Sequence, residues 1–313
     1  MDATGADGAT VRASLIVLNF EGLEVLTGCV ETLRAAMGPG DELIVVDNGS
    51  TDGSREWLRE QSDVRSVLLP ENTYIFGLNE GLAIARGRYV AFLNNDMTVE
   101  PGFVERSLEC FTASDIFAVC PRIIAENGDE QGSRTAGFWS RGILFYRSLE
   151  HSEESTPCFF AVGGQSFFDH AKLLEIGSID PLLWPMYHED IELSYRAWKR
   201  GWRIVYAPHA IAHHLGGRTS RKVFSTTDLR SFVRQNEFLM VWKDITDRRL
   251  MAAHAAYLPA RLAVAAARRD VGTLRGFSAA VRRMPQVRQA RRRAKAHFRR
   301  SDREVLAVVS QIT

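Results

Sequence analysis

The sequence predicts an α/β fold built on an open, mainly parallel sheet, and three observations carry that expectation. Over the first 111 residues, short β-branched or apolar runs alternate with segments of helical spacing. The runs are only four to six residues long and, after a polar or charged first residue, continuously apolar, as in strands covered on both faces. Each run also leads into Asn or Asp at its C-terminal end.

Taken in order, Ser14–Leu18 (SLIVL) is the first predicted strand and Leu23–Ala36 the first helix. Glu42–Val46 (ELIVV) and Ser54–Glu60 repeat the pair, followed by strand Ser66–Leu69, helix Leu78–Ala85 and strand Arg88–Leu93. Pro101–Phe111 reads as a helix with Pro at its first position. Further on, Glu189 and Asp190 open a helix whose Ile191, Tyr195 and Trp198 share a face, and Ile204–Ala207 reads as a strand. Glu192 and Arg196, four apart, are expected to pair on that helix's surface. After Trp242 the chain turns Ala- and Arg-rich, with helical spacing across Leu250, His254, Leu258, Leu262 and Ala265. The expected division is a flexible segment 1–12, a catalytic α/β domain 13–242 and a basic helical extension 243–313.

The 313 residues, 45% hydrophobic and 25% charged, suffice for full cores and argue against disorder. A net charge of +1 hides an asymmetry. From Arg261 to Arg303 there are fourteen Lys or Arg against two Asp, a segment charge of +12 that leaves the remainder at −11. Such an arm suits an anionic surface, and Arg282–Arg303 is the stretch expected to lie on anionic lipid. Nucleic acid is not expected, because no RNP-like aromatic motif accompanies the basic run. The four scattered cysteines form no C-x-x-C pair and suggest a reducing, cytoplasmic setting. The N-terminal MDATGADGATVRAS lacks a basic stretch followed by an apolar one, so no secretory signal is expected. Leu250–Ala267, interrupted by His254, Pro259 and Arg261, reads as too weakly apolar to span a membrane.

In open α/β sheets ligands bind beyond the carboxyl ends of the strands, where this chain gathers Asn19, Asp47, Asn72, Asn94, Asn95 and Asp96. Neither the dinucleotide fingerprint nor the P-loop occurs, so carboxylates and carboxamides, not a glycine-rich cradle, must hold the ligand. Asp52 reads as a helix cap. The histidines His209, His213 and His214 lack the spacing of a structural zinc site.

Together, LNFEG, VVDNGSTDGS, ENTYIFGLNEGLAIARGRYVAFLNND and GSIDPLLWPMYHEDIELSYRAWKRGW resemble bacterial family 2 glycosyltransferases, particularly their rhamnosyltransferase-like members, over roughly Ser14–Trp242. The resemblance implies a GT-A fold and inverting transfer of a sugar, rhamnose or a related hexose, from a dTDP- or UDP-linked donor to a glycan or lipid-linked acceptor. It also implies a Mg²⁺ or Mn²⁺ cofactor; the cysteine usage and the basic arm lead to the expectation of a cytoplasmic protein, peripheral on the inner membrane face. By the same resemblance Asp47 contacts the nucleoside, Asn19, Asn72, Asn94 and Asn95 line it, and Asp96 holds the metal with His214, His213 being a weaker candidate. Asp190 is the matching general base, and Gly164, Trp184 and Glu189 fall near donor sugar or acceptor. Asn94 stands where the family's D-x-D motif begins with Asp, one charge fewer for a metal. Two rivals are a sugar nucleotidyltransferase, which needs a Gly-rich basic loop that NFEGLEVL lacks, and a non-catalytic glycan- or nucleotide-binding relative.

Overall fold

The computed structural model describes residues 11–215 and 223–312, so most of the segment expected to be flexible (1–12) lies outside the described residues. The first half follows the expected order. Strands β1 (Ala13–Asn19), β2 (Asp41–Asp47), β3 (Val64–Leu68) and β4 (Tyr89–Asn94) alternate with helices α1 (Leu23–Ala36), α2 (Ser54–Glu60) and α3 (Gly77–Ile84). These strands are mutually parallel in the order β3-β2-β1-β4. Alternate residues of β1 serve opposite layers: Ile16 packs with Ile44, Val90 and Phe117, whereas Leu15 and Val17 pack with Leu26, Val30 and Val45. Burial on both faces explains why the run is apolar without alternation.

Beyond β4 the sheet becomes mixed. It continues through β5 (Met97–Val99), α4 (Phe103–Glu109), β6 (Ile116–Ala125), a hairpin of β7 (Thr135–Ser140) and β8 (Ile143–Ser148), β9 (Gln165–Asp169) and α5 (His170–Ile176). Next come α6 (Glu189–Lys199) and the long β10 (Arg203–His214). Strand β9 runs antiparallel between β4 and β6, and β5 runs antiparallel to β10 at the edge. The helix expected from Pro101 starts later, because Gly102 adopts a left-handed φ of 82° as its N-cap. Asp52 does act at helix starts, accepting from Leu23 N (2.8 Å) at α1 and Ser54 N (3.1 Å) at α2.

Among the described residues, five helices close the chain: α7 (Thr226–Asp244), α8 (Arg248–Ala267), α9 (Val271–Arg282), α10 (Met284–Lys295) and α11 (Asp302–Val309). Val305, Val309 and Ile312 share a core with Trp198 and Tyr206 of the α/β body. Glu192 and Arg196 do pair, but inside the protein, 0% and 6% exposed. Glu192 also meets Lys243 of α7, and Arg196 donates to the carbonyls of Ile176 and Ser178. Spacing alone predicted the pair; the covering helix α7 made it a buried one.

Asp302 is the main polar anchor of the last helix. Its carboxylate accepts from Lys199 Nζ (2.7 Å), Tyr195 Oη (2.7 Å), Thr246 N (2.6 Å) and Asp247 N (2.6 Å). Burial pushes this carboxyl up, but the hydrogen bonds and the charge of Lys199 leave it below its usual range. Its contribution is therefore present above the unfolded carboxylate pKa and lost as pH falls through the lowered folded value. Asp302→Ala strands the fully buried Lys199 ammonium and is expected to cost about 3–5 kcal/mol. Urea denaturation at neutral pH checks this, and a midpoint within error of wild type contradicts it.

Candidate active site

Strand register lines up the polar ends. Asn19 pairs with Asp47 across β1 and β2, and Leu18 with Asn94 across β1 and β4. The Asn19 carboxamide bridges them, donating to Asp47 Oδ2 (3.1 Å) and accepting from Asn95 Nδ2 (2.7 Å). Asp47 is fully buried: Oδ1 accepts from Ser50 N (3.0 Å) and lies 3.6 Å from Arg55 Nε. Asn19 and Asp47 therefore form the floor beneath the site, and neither lines the cavity above it.

That cavity, of about 380 Å³, is lined by Asn72, Asn94, Asn95, Asp96, Glu189, Asp190 and His214 among the residues singled out from sequence. Asn48, unassigned in the sequence reading, also lines it. Its Oδ1 accepts from Thr73 N (2.9 Å) and its Nδ2 donates to Tyr74 O (2.8 Å), fixing the loop that carries Tyr74 and Ile75 into the wall. Phe20, Tyr74, Tyr187 and Phe224 supply the aromatic surface. Trp184, expected to approach a sugar, stands behind that wall, stacked on Phe76 (5.3 Å) and edge-on to Tyr74 (5.2 Å).

Antiparallel pairing of β5 with β10 sets Met97 opposite His214 and brings His214 Nε2 to 3.1 Å from Asp96 Oδ1. His214 Nδ1 bonds to Gln131 Oε1 (2.6 Å). Since a carboxamide oxygen only accepts, Nδ1 carries the proton and Nε2 of a neutral ring presents a lone pair toward Asp96. Two acceptors so placed call for a proton or a cation between them. His213, next along the strand, points the other way to Glu100 (3.1 Å), and His209 borders a separate cavity of about 600 Å³ that contains none of the motif residues. Gly164 has φ +71°, and a Cβ there would stand 2.1 Å from Asn94 Oδ1. Its carbonyl accepts from Asn94 N (2.7 Å), so Gly164 positions Asn94 from outside the cavity lining.

Glu189 and Asp190 open α6. Asp190 Oδ1 accepts from Ile191 N (2.8 Å), while Oδ2 has only a long contact from Gly163 N (3.5 Å). Among the described residues Glu189 Oε2 is buried with no hydrogen-bond partner. Burial pushes both carboxyls up, Glu189 to about 8 with the charge of Asp190 adding to it. Asp190 also borders a second cavity, of about 520 Å³, between the β7–β8 hairpin and α7. Phe145, Tyr146, Phe160, His188, Arg234 and Glu237 line that side. The two cavities thus meet at Tyr187 and Asp190, which line both.

Comparison with known proteins agrees with this architecture. The family model described as "Glycosyl transferase family 2" matches residues 14–177, and one described as "Glycosyltransferase (GlcNAc)" matches 126–304. The chain is 28% identical over 186 residues to the "Uncharacterized glycosyltransferase alr2836" of Nostoc, covering 56% of each chain. It is 32% identical over 101 residues to the "Putative teichuronic acid biosynthesis glycosyltransferase TuaG" of Bacillus subtilis, covering 31% of this chain and 40% of TuaG. The chain thus spans about half the length of these relatives. Among solved structures, GalNAc-T7 with UDP, GalNAc and Mn²⁺ superposes with a TM-score of 0.61 at 16% identity, over 75% of this chain and 48% of that one. This likeness shows a GT-A fold, as the sequence resemblance implied. With its model matching more than half of the residues, the chain belongs to glycosyl transferase family 2.

Proposed function

We propose that this protein is an inverting glycosyltransferase of cell-surface polysaccharide synthesis, moving a hexose from a nucleoside diphosphate sugar to a glycan or lipid-linked hydroxyl. The observation that carries this reading is the placement of Asp190 between two cavities. A donor sugar reaches it from the Asn-lined side and an acceptor from the hairpin side. Asp190 Oδ2, only weakly held by Gly163, accepts the proton of the acceptor hydroxyl as that oxygen attacks the anomeric carbon. The new carbon–oxygen bond forms as the bond to the diphosphate breaks, and the proton stays on Asp190. One base and one displacement invert the anomeric centre. Glu189, raised to about 8, stays protonated at neutral pH and can donate a hydrogen bond to a sugar oxygen.

Asp96 and His214 are the residues that suit Mg²⁺ or Mn²⁺. Their 3.1 Å separation matches the roughly 3 Å between neighbouring ligand positions of a small octahedral ion, and Gln131 fixes the histidine tautomer. Among the described residues no third His, Cys, Asp or Glu joins them, so Asp96 and His214 are the side chains that would hold the ion. A bound ion supplies charge neutralisation to the departing diphosphate. The relatives named above favour a UDP donor carrying an N-acetylhexosamine as the first to try; dTDP-rhamnose, suggested by the sequence resemblance, is the second. A role in polysaccharide synthesis draws on the teichuronic acid relative.

An α-linked donor is expected to give a β-linked product. Proton NMR of the anomeric coupling reads this directly, and a retained anomer contradicts the single-base displacement.

A further inference from the structure

Helix α8 is held to the body by one face only. His254 is buried, with Nδ1 bonded to the Gly142 carbonyl (2.7 Å) and Nε2 accepting from the Trp242 indole (2.9 Å). Arg261 pairs with Glu237 and lies 5.2 Å over the Phe238 ring. The rest of the helix faces outward and is apolar: Tyr257 and Val264 are 51% and 50% exposed, separated by exposed alanines. Val271 and Leu274 on α9 continue the strip. By length and composition alone the helix Arg248–Ala267 could cross a membrane, its 18-residue window reaching a mean hydropathy of 1.3, more apolar than the sequence reading allowed. Its polar anchors to Gly142, Trp242 and Glu237 would all break if it left the body to span a bilayer, so a surface position fits better.

The edges of the strip are cationic. Arg248 and Arg249 stand at its start, Arg268 and Arg269 at the turn into α9, and Arg275 and Arg282 along α9, all exposed. From Arg248 to Arg283 the one acid is Asp270, which caps α9 and lies 3.3 Å from Arg230. Helix α10, within the basic stretch expected from sequence to meet lipid, packs on the body by one face, with Val287 buried and Arg291 donating to the carbonyls of Trp242 (2.8 Å), Lys243 (3.2 Å) and Ile245 (2.6 Å), while Arg288, Arg292, Arg293 and Lys295 stay exposed.

We propose that the α8–α9 hairpin docks the protein on an anionic bilayer, the Tyr257–Leu274 strip entering the acyl boundary and the six arginines meeting headgroup phosphates. Charge complementarity selects this occupant: an apolar strip rimmed by arginine with no free acid is the pattern of an interfacial anchor. Gly142 forms the turn of the β7–β8 hairpin, so docking also sets the hairpin-side cavity beside the membrane. That last consequence, access for a lipid-linked acceptor, rests on the proposed function; docking itself does not.

The test is cosedimentation of the full chain with phosphatidylcholine vesicles, alone and mixed with phosphatidylglycerol. Binding is expected to be at least about tenfold stronger on the anionic vesicles and to weaken with salt. Tyr257→Glu with Val264→Glu should abolish it, and Arg268→Glu with Arg269→Glu should remove the anionic preference while leaving the melting curve unchanged. The second pair keeps the test open if the first fails to fold. Equal binding to both vesicles, or unchanged binding in the arginine pair, overturns the proposal. So does a dimer in sedimentation equilibrium that Val264→Glu dissociates, without vesicle binding, since a second copy then covers the strip. Calorimetric UDP binding on the same samples reports separately on the active site.

Discussion

Asp190→Asn is expected to lower transfer by about 10²–10⁴ while leaving nucleotide affinity within about twofold. The carboxamide keeps the size of the side chain and the bond from Ile191 N, so α6 is not disturbed. What it loses is the ability to take a proton from the acceptor hydroxyl. In the wild type, burial raises the Asp190 carboxyl, so the acid limb of the rate profile should lie above the ordinary Asp value of about 3.9. The rate rises with pH as the base ionises. Glu189→Gln replaces a neighbour that is already neutral in this range and should leave that limb in place. Steady-state kinetics across pH, paired with calorimetric titration of UDP, checks both variants. Substantial turnover in the Asp190→Asn variant removes Asp190 as the base.

Asp96→Ala is expected to cost several kcal/mol in the rate, on the order of 10²–10³ in turnover, and to abolish the gain in UDP affinity expected from Mn²⁺ in the wild type. The paired His214 keeps its bond to Gln131, so the lone pair remains aimed at the site with no carboxylate beside it. His214→Ala should have a smaller effect of the same kind, since a neutral nitrogen attracts the cation less than a carboxylate. UDP titrations with Mn²⁺ and with chelator separate metal loss from nucleotide loss. Equal Mn²⁺ dependence in wild type and the Asp96 variant contradicts the assignment.

Much of the first half of the fold was legible from residue patterns. The limits of α1 and α2 agree with the sequence reading because apolar spacing and the Asp52 cap define their ends without tertiary help. Strands β5 to β9 were not read: residues such as Arg147 and Gln165 follow no strict alternation, and β5, β6 and β9 find their partners far along the chain, although β7 and β8 form a local hairpin. The candidate site was legible as a set of residues on one sheet edge, less so as directions. Asp47 and Asn19 sit below the cavity because strand register pairs them with each other. Trp184 turned away onto Phe76, and Gln131 carried no local signal, since its role arises from a contact with His214, 83 residues later. Glu192 looked like a surface charge because nothing in its own helix announces the covering α7.

Sugar transfer is read directly by release of nucleoside diphosphate from a panel of sugar nucleotides, UDP-N-acetylhexosamines and dTDP-rhamnose included, with Mn²⁺ or chelator. Metal-dependent release from one donor is expected, stimulated by a glycan or lipid-linked acceptor and lost in Asp190→Asn. No release from any donor, together with no calorimetric binding of any sugar nucleotide in Mn²⁺, would contradict the proposed transfer.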